Sequence, residues 1–357
     1  MKINLALVGF GNVARRFVRL LREREAELAA LGLEPVITGI ATRSHGALFS
    51  SRGIDAVEQA DRLERGPSTG SGQAATMLED GVGVPLKDAA AVIARTADLW
   101  EPAALVETTV LDIRAGQPAI DHVRAALTAG LHVVTANKGP AAFAARELQA
   151  LAADRGVSFY FEGAVMDGVP VFNLVRETLP AARVLGFEGV LNTTTNQMLV
   201  AIERGEAAEA ALARMQAEGI AETDPSLDLE GWDAAAKTAA LANVLLDAGI
   251  TPRDVDREGL GADVGRRVRE AASRGTRLKL MARAARDGDR VRADVRLREV
   301  DPSGPFGSLD GPANALRLDT DLVGPILITQ LEGSLTATAY ALVTDLVRIV
   351  RGLRGHA

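Results

Sequence analysis

The sequence predicts a two-domain α/β protein, the first domain built on a parallel, doubly wound sheet and the second α+β. Three observations carry this. The chain's 357 residues exceed one ordinary domain of about 100–200 residues. Over the first 140 residues short apolar runs alternate with longer helical patterns, the arithmetic of parallel strands joined by crossover helices. Further on, Val291, Ala293, Val295 and Leu297 alternate with Arg292, Asp294, Arg296 and Arg298, which fits a sheet with one solvated side.

Residues 3–8 read as a buried strand, 12–31 as an amphipathic helix stopped by Gly32, and 36–41 as a second strand. Residues 104–107 form a later strand, 118–129 a helix ending at Gly130, and 132–135 another strand. The Gly/Pro/Ser run over residues 66–72 reads as a surface loop. After a helix over residues 141–155 the texture changes. Strands are expected at 157–161, 182–189 and 291–300, with helices at 197–203, 207–217 and 232–248. Residues 266–286, rich in basic side chains, read as a solvated helical face, 301–312 as a Pro/Gly loop and 338–353 as the final helix. The expected division is residues 1–140, completed by a C-terminal helix over 335–357, and residues 141–334.

Composition narrows the chemistry. Apolar residues make up 47% of the chain, so disorder is excluded as a global description. With 40 basic and 47 acidic residues the net charge is −7, which argues against nucleic-acid or anionic-membrane partners. The absence of cysteine removes disulfides, thiolate metal sites and thioester-forming dehydrogenase mechanisms. The four histidines, His45, His122, His132 and His356, show no ligand spacing. His122 reads as a helix-surface residue, His132 as a strand end, and Trp100 and Trp232 as packing residues. No apolar run approaches the ~18 residues of a membrane helix, and Gly9 cuts short the apolar start. A cytoplasmic protein is expected.

Gly9-Phe10-Gly11-Asn12-Val13-Ala14 is GxGxxA between a predicted strand and a predicted helix. The first glycine makes the turn, the second admits a pyrophosphate close to backbone, and the small third residue lets helix and strand pack. The helix N-terminus then receives the negative charge. This makes the first domain a Rossmann-type dinucleotide-binding domain. NAD-specific sites place an acid after the second strand, whereas here Ala41-Thr42-Arg43-Ser44 offers Arg43 for a 2′-phosphate. NADP(H) is favoured, with NAD(H) compatible.

Further along, Asp233 and Lys237 lie four apart on an Ala-rich helix and so share a face. A lysine near an alcohol oxygen can polarise a carbonyl during hydride delivery or relay a proton. Glu222, Asp228 and Asp233 form a carboxylate cluster suited to a substrate ammonium. Taken alone, the Asp233/Lys237 spacing equally suits a surface ion pair.

In order and context, three segments resemble homoserine dehydrogenase over nearly the whole chain: the fingerprint at Gly9, the His132-Val133-Val134-Thr135-Ala136-Asn137-Lys138-Gly139-Pro140 run, and Asp224-Pro225 leading to Gly231-Trp232-Asp233 and Lys237. The resemblance is to the short form of that family, in which no C-terminal regulatory domain is expected. The resemblance implies Lys237 as proton donor, Asp233 and Glu222 as substrate-binding acids, and Lys138 beside the nicotinamide as a rival acid/base. It places Phe10, Asn12, Val13, Thr108 and Thr109 against the dinucleotide, and a sodium ion on the backbone carbonyls of Glu162, Val165, Asp167 and Val169. The substrate-cradling loop corresponds to Asn192, Thr193, Thr194, Thr195 and Asn196, with Thr193 where the family has glycine. Ile220 stands where many members carry an aromatic residue.

The implied activity is NAD(P)-dependent interconversion of L-homoserine and L-aspartate 4-semialdehyde, a step of threonine and methionine biosynthesis. Thr193 and Ile220 motivate one alternative, the same chemistry on another small amino or hydroxy acid. A non-catalytic NADP-binding sensor is the other, and joint retention of Glu222, Asp233, Lys237 and Lys138 argues against it. A twofold homodimer through the sheet of the second domain is expected.

Overall fold

Strand β1 (Lys2–Val8) is buried at every position after Lys2, as a strand with neighbours on both edges and both faces must be. Its sheet also holds β2 (Glu34–Ala41), β3 (Ala47–Phe49), β4 (Val84–Leu86), β5 (Ala103–Glu107), β6 (His132–Thr135) and β7 (Phe159–Tyr160), in the order β4-β3-β2-β1-β5-β6-β7, so that β2 and β5 flank β1. The pairs β1–β2, β1–β5, β5–β6 and β6–β7 are parallel, and β3 and β4 complete one edge with antiparallel pairing. The structure, a computed structural model, describes residues 1–65, 83–221 and 224–355. The loop expected at residues 66–72 lies outside them.

The chain divides into two units. Met1–Pro140, Ala144–Pro170 and Ser334–Ala357 form one, Ala141–Phe143 and Val171–Gly333 the other. Residues 144–170, assigned to the second domain from sequence, fold with the first. The reason is the pairing of Val133 with Phe159 and Val134 with Tyr160, which makes the strand expected at 157–161 the last strand of the parallel sheet. The C-terminal helix Leu335–Gly355 also belongs here. Its Ala339, Leu342, Val343, Leu346 and Val350 recur at helical spacing and join Ala14, Phe17 and Leu21 of the helix Asn12–Glu23 in one buried cluster. The single helix expected over residues 12–31 is two, Asn12–Glu23 and Glu25–Ala30, broken at Arg24, whose φ of −117° leaves the helical region.

The second unit holds β8 (Val184–Val190), β9 (Asp256–Arg257), β10 (Arg277–Asp287), β11 (Arg290–Val300), β12 (Asn314–Thr320) and β13 (Gly324–Gln330), ordered β13-β12-β8-β10-β11-β9. Pairing is antiparallel except between β11 and β9. The alternation read in β11 is real: Ala293, Val295 and Leu297 are buried, Arg292 and Arg296 exposed. The helices Thr193–Glu203 and Trp232–Leu245 pack on β10 and β11. The opposite face carries an ion-pair lattice, with Glu188 between Arg283 at 3.3 Å and Arg317 at 2.8 Å.

One expectation fails outright. Residues 266–286 are not one helical face but the helix Val264–Ser273 followed by strand β10. Gly275, at φ +73°, ends the helix in the left-handed region. Beyond it Leu278, Leu280, Ala282 and Ala284 are buried at strand spacing, between β8 and β11.

Candidate functional site

The fingerprint turn is built as its residues require. Gly9 sits at φ +89°, and a Cβ there would stand 2.6 Å from the carbonyl carbon of Thr108, so only glycine fits. Thr108 Oγ1 donates to the Gly9 carbonyl at 2.9 Å, and Arg15 Nε to that of Phe10 at 3.1 Å. Gly11 caps the helix Asn12–Glu23 with no side-chain hydrogen bond, and a Cβ there would meet nothing within 4 Å. That helix has no acidic residue in its first turn. An uncapped N-terminus, open on the glycine side and without an acidic residue in its own first turn, fits a dinucleotide phosphate. Asn12 is exposed and Val13 half-buried beside it.

After β2 the chain turns tightly. Thr42 accepts from the His45 amide at 2.7 Å and donates to the Gly46 carbonyl at 3.2 Å, with Gly46 at φ +84°. The turn leaves Arg43 exposed at its tip. On the other side of β1, Thr109 follows β5 and Asn137 follows β6. Asn137 Nδ2 donates to the Thr109 carbonyl at 2.9 Å, and Asn137 Oδ1 accepts the Gly139 amide at 2.8 Å, capping the helix that opens at Lys138. Thus Gly9, Phe10, Gly11, Asn12, Val13, Thr108, Thr109 and Lys138 gather at the C-terminal ends of β1, β5 and β6, where doubly wound sheets bind ligands.

In the second unit Lys237 Nζ lies 3.0 Å from Asp233 Oδ2 and donates to the Leu191 carbonyl at 2.6 Å. Asn192 Nδ2 donates to Asp228 Oδ1 at 2.7 Å and to Asp233 Oδ2 at 2.9 Å. Asn192 Oδ1 also accepts the Thr195 amide at 2.8 Å, so one buried side chain caps the helix Thr193–Glu203 and aligns both carboxylates. Thr194 is buried in that cap turn. Thr193 is not among the positive-φ residues. Its hydroxyl approaches the Pro312 carbonyl at 3.4 Å and accepts from Asn314 Nδ2 at 3.1 Å. Thr193 therefore needs no left-handed backbone conformation. Glu222 lies outside the described residues.

The turn implicated in sodium binding belongs to the first unit. Glu162 is buried, and its amide donates to Asp345 Oδ2 at 3.0 Å. Asp167, at φ +48°, accepts from Thr338 Oγ1 at 2.9 Å. Within the turn Ala164 donates to Phe161 and Val169 to Met166, each at 3.0 Å, carbonyls outside the implied set of Glu162, Val165, Asp167 and Val169. Among the described residues no side-chain cluster suits a metal ion, so a cation here would depend on backbone oxygen, as a hard monovalent ion can.

Lys279 was not legible as a site residue in the sequence. Lys279 is 1% exposed in β10 and donates to Asn196 Oδ1 at 2.7 Å and to the Leu309 carbonyl at 2.5 Å, while burial pushes its pKa down to about 8. Asn196 Nδ2 in turn reaches the Gly311 and Ala313 carbonyls at 3.3 Å, strapping down the loop that touches Thr193. The only signal was a lone lysine amid Leu278, Leu280 and Met281. His122 is no free surface residue, since its Nδ1 is buried 3.8 Å from Glu107. Trp232 stacks under the Arg257 guanidinium at 3.7 Å.

No helix among the described residues is long and apolar enough to cross a membrane. The sequence matches the family model for the homoserine dehydrogenase NAD-binding domain over residues 9–162 and that for homoserine dehydrogenase over residues 170–347. An NAD(+)-dependent homoserine dehydrogenase of Pseudomonas canavaninivorans is 36% identical over 347 residues, covering 97% of this chain and 95% of that protein. A homoserine dehydrogenase structure from Thiobacillus denitrificans aligns with a TM-score of 0.81 at 28% identity, over 99% of this chain and 74% of the other. A hyperthermophilic archaeal homoserine dehydrogenase in complex with NADPH aligns with a TM-score of 0.79 at 25% identity, over 99% and 98%. A dinucleotide turn in one unit, an acid-flanked lysine in the other and matches spanning both make this chain a member of the homoserine dehydrogenase family of NAD(P)-dependent oxidoreductases.

Proposed function

We propose that the chain interconverts L-homoserine and L-aspartate 4-semialdehyde, with Lys237 as the acid/base group. The observation that carries this is the placement of Lys237 Nζ between the Asp233 carboxylate and the Leu191 carbonyl. Both acceptors orient the Nζ hydrogens, and an ammonium held there can polarise an aldehyde oxygen and protonate the alkoxide as it develops. In the reverse direction the neutral amine receives the hydroxyl proton. Asp228 and Asp233, held by Asn192, supply negative charge for the substrate ammonium, and the sequence resemblance adds Glu222 as a further substrate-binding acid. Thr193 and Thr194 line the cap turn beside it. A bound nicotinamide coenzyme supplies or accepts the hydride.

Gly9, Phe10, Gly11, Asn12 and Val13 would hold the pyrophosphate, and Thr108, Thr109 and Lys138 the adjoining part of the coenzyme. Arg43 supports a preference for NADP(H), because an exposed guanidinium after β2 suits a 2′-phosphate and no acid takes its place. A sodium ion on the carbonyls of Glu162, Val165, Asp167 and Val169 belongs to the same reading, supported by the anchoring of that turn to Asp345 and Thr338. So does a cytoplasmic homodimer. Strand β13 ends its sheet order, and Leu322, Val323, Leu327 and Leu331 around it are exposed, an edge that a second copy can cover. Light scattering tests this, and a monomer at all concentrations would refute it.

The direct test of function is coenzyme oxidation with aspartate 4-semialdehyde, followed by nicotinamide absorbance against a panel of other short aldehydes and keto acids. Preference for aspartate 4-semialdehyde supports the reading. Turnover only with another substrate assigns the chemistry elsewhere, and coenzyme binding without any turnover points to a sensor.

A further inference from the structure

Glu107 ends β5 and is wholly buried, although no sequence motif singled it out. A buried carboxylate is costly unless its oxygens are well satisfied, and these are. Oε1 accepts from the Thr109 amide at 3.0 Å and from the Thr109 hydroxyl. Oε2 lies 3.0 Å from Thr135 Oγ1, which is also 2.9 Å from the Glu107 carbonyl. The Thr135 hydroxyl oxygen in turn accepts the Asn137 amide at 2.9 Å, and Asn137 Nδ2 returns to the Thr109 carbonyl. The ring closes: Glu107, Thr109, Asn137, Thr135 and back to Glu107. One carboxylate thereby ties the loop after β5 to the turn after β6. The basic group beside it is His122, whose buried Nδ1 has no hydrogen-bond partner and stands 3.8 Å from Oε1.

We propose that Glu107 is a positioning residue of the coenzyme site, locking the Thr108–Thr109 loop to the Asn137–Lys138 turn so that both meet the dinucleotide in fixed register. This rests on the reading above that Thr108, Thr109 and Lys138 face the coenzyme. Glu107 touches neither coenzyme nor substrate and acts through Thr109 and Thr135. Preorganised donors are lost when the group that aims them is lost, even though every contacting residue remains. The ring lies wholly within the first unit, whereas Asn192, Asp228 and Asp233 lie in the second. Its loss therefore acts on coenzyme parameters and not on amino-acid binding.

The test measures NADPH affinity by fluorescence titration, together with kcat and the amino-acid KM at saturating coenzyme, for the full chain and its Glu107→Gln, Thr135→Val and Thr109→Val variants. Glutamine keeps the shape of glutamate but turns one acceptor into a donor that faces a threonine. Glu107→Gln should weaken NADPH binding about tenfold, with the amino-acid KM within twofold of wild type. Thr135→Val should move the same parameter, and the double variant should lose less than the product of the two single effects. Folded Glu107→Gln protein with unchanged NADPH affinity overturns the proposal. If that variant does not fold, Thr135→Val decides in its place. Should Thr109→Val and Lys138→Met both leave NADPH affinity unchanged, the underlying placement of the coenzyme fails and the proposal falls with it. If those two weaken binding while Glu107→Gln does not, only the positioning role is lost.

Discussion

Lys237 Nζ and Asp233 Oδ2 lie 3.0 Å apart on one face of the helix Trp232–Leu245, with side chains only 15% and 17% exposed. An exposed pair at this spacing is worth about 0.3–0.5 kcal/mol and needs no further explanation. This pair is withdrawn from water and shares its carboxylate with Asn192, so it costs desolvation that a surface pair avoids.

If Lys237 protonates the developing alkoxide, Lys237→Ala should lower kcat by ~10²–10⁴, the range of an acid/base group. NADPH affinity should stay near wild type, because the turn at Gly9 is untouched. Asp233→Ala should raise the amino-acid KM as well as lower kcat. Lys138→Ala discriminates the rival assignment. A dead Lys138 variant, beside a Lys237 variant keeping more than about a tenth of wild-type kcat, transfers the role to Lys138.

Arg43 should govern coenzyme choice. Arg43→Ala should cost NADP(H) binding ~1.5–3 kcal/mol, the value of a charge-assisted contact, and leave NAD(H) nearly unaffected. Equal losses for the two coenzymes, measured as KM ratios, would remove the argument for a 2′-phosphate site.

Thr193 is accommodated by Pro312 and Asn314 rather than by a special backbone conformation. Thr193→Gly should accordingly destabilise the protein by about 1–2 kcal/mol, through lost hydrogen bonds and added chain entropy. It should not improve the homoserine KM by more than about twofold. A large gain in homoserine KM would show that the methyl group obstructs the substrate.

His132 makes the stability pH-dependent. Its Nδ1 accepts the Ser158 amide at 3.0 Å, which requires the neutral ring, and burial holds its pKa down to about 4 against an ordinary 6.5. Below the ordinary value the unfolded chain takes up a proton that the native state refuses. Stability is therefore fully present above 6.5 and falls as pH drops towards 4, by at most about 3 kcal/mol. Urea unfolding across that range should show a steeper fall for wild type than for His132→Asn, whose amide oxygen can take the Ser158 proton without titrating. Parallel curves would refute it.

What the sequence determined by itself is what depends on short-range constraints. Gly9 was readable because a positive φ and a missing Cβ are needed wherever a strand turns so sharply into a helix. The final helix was readable from the 3.6-residue period of Ala339, Leu342, Leu346 and Val350, and β11 from its period of two. The Asp233/Lys237 face followed from helical geometry alone. Tertiary structure decided what depends on partners far along the chain. Asn192 meets acids 36 and 41 residues away. Phe159 and Tyr160 joined the first sheet because Val133 and Val134 were there to pair with them. Glu107 and Lys279 look like ordinary charged residues in the sequence. Their burial is tolerable only because Thr109 and Thr135, or Asn196 and the Leu309 carbonyl, arrive with donors and acceptors at hydrogen-bond distance. Periodicity reports which face of an element is apolar. Which polar group lies opposite is set by register and packing between elements, and no local pattern encodes it.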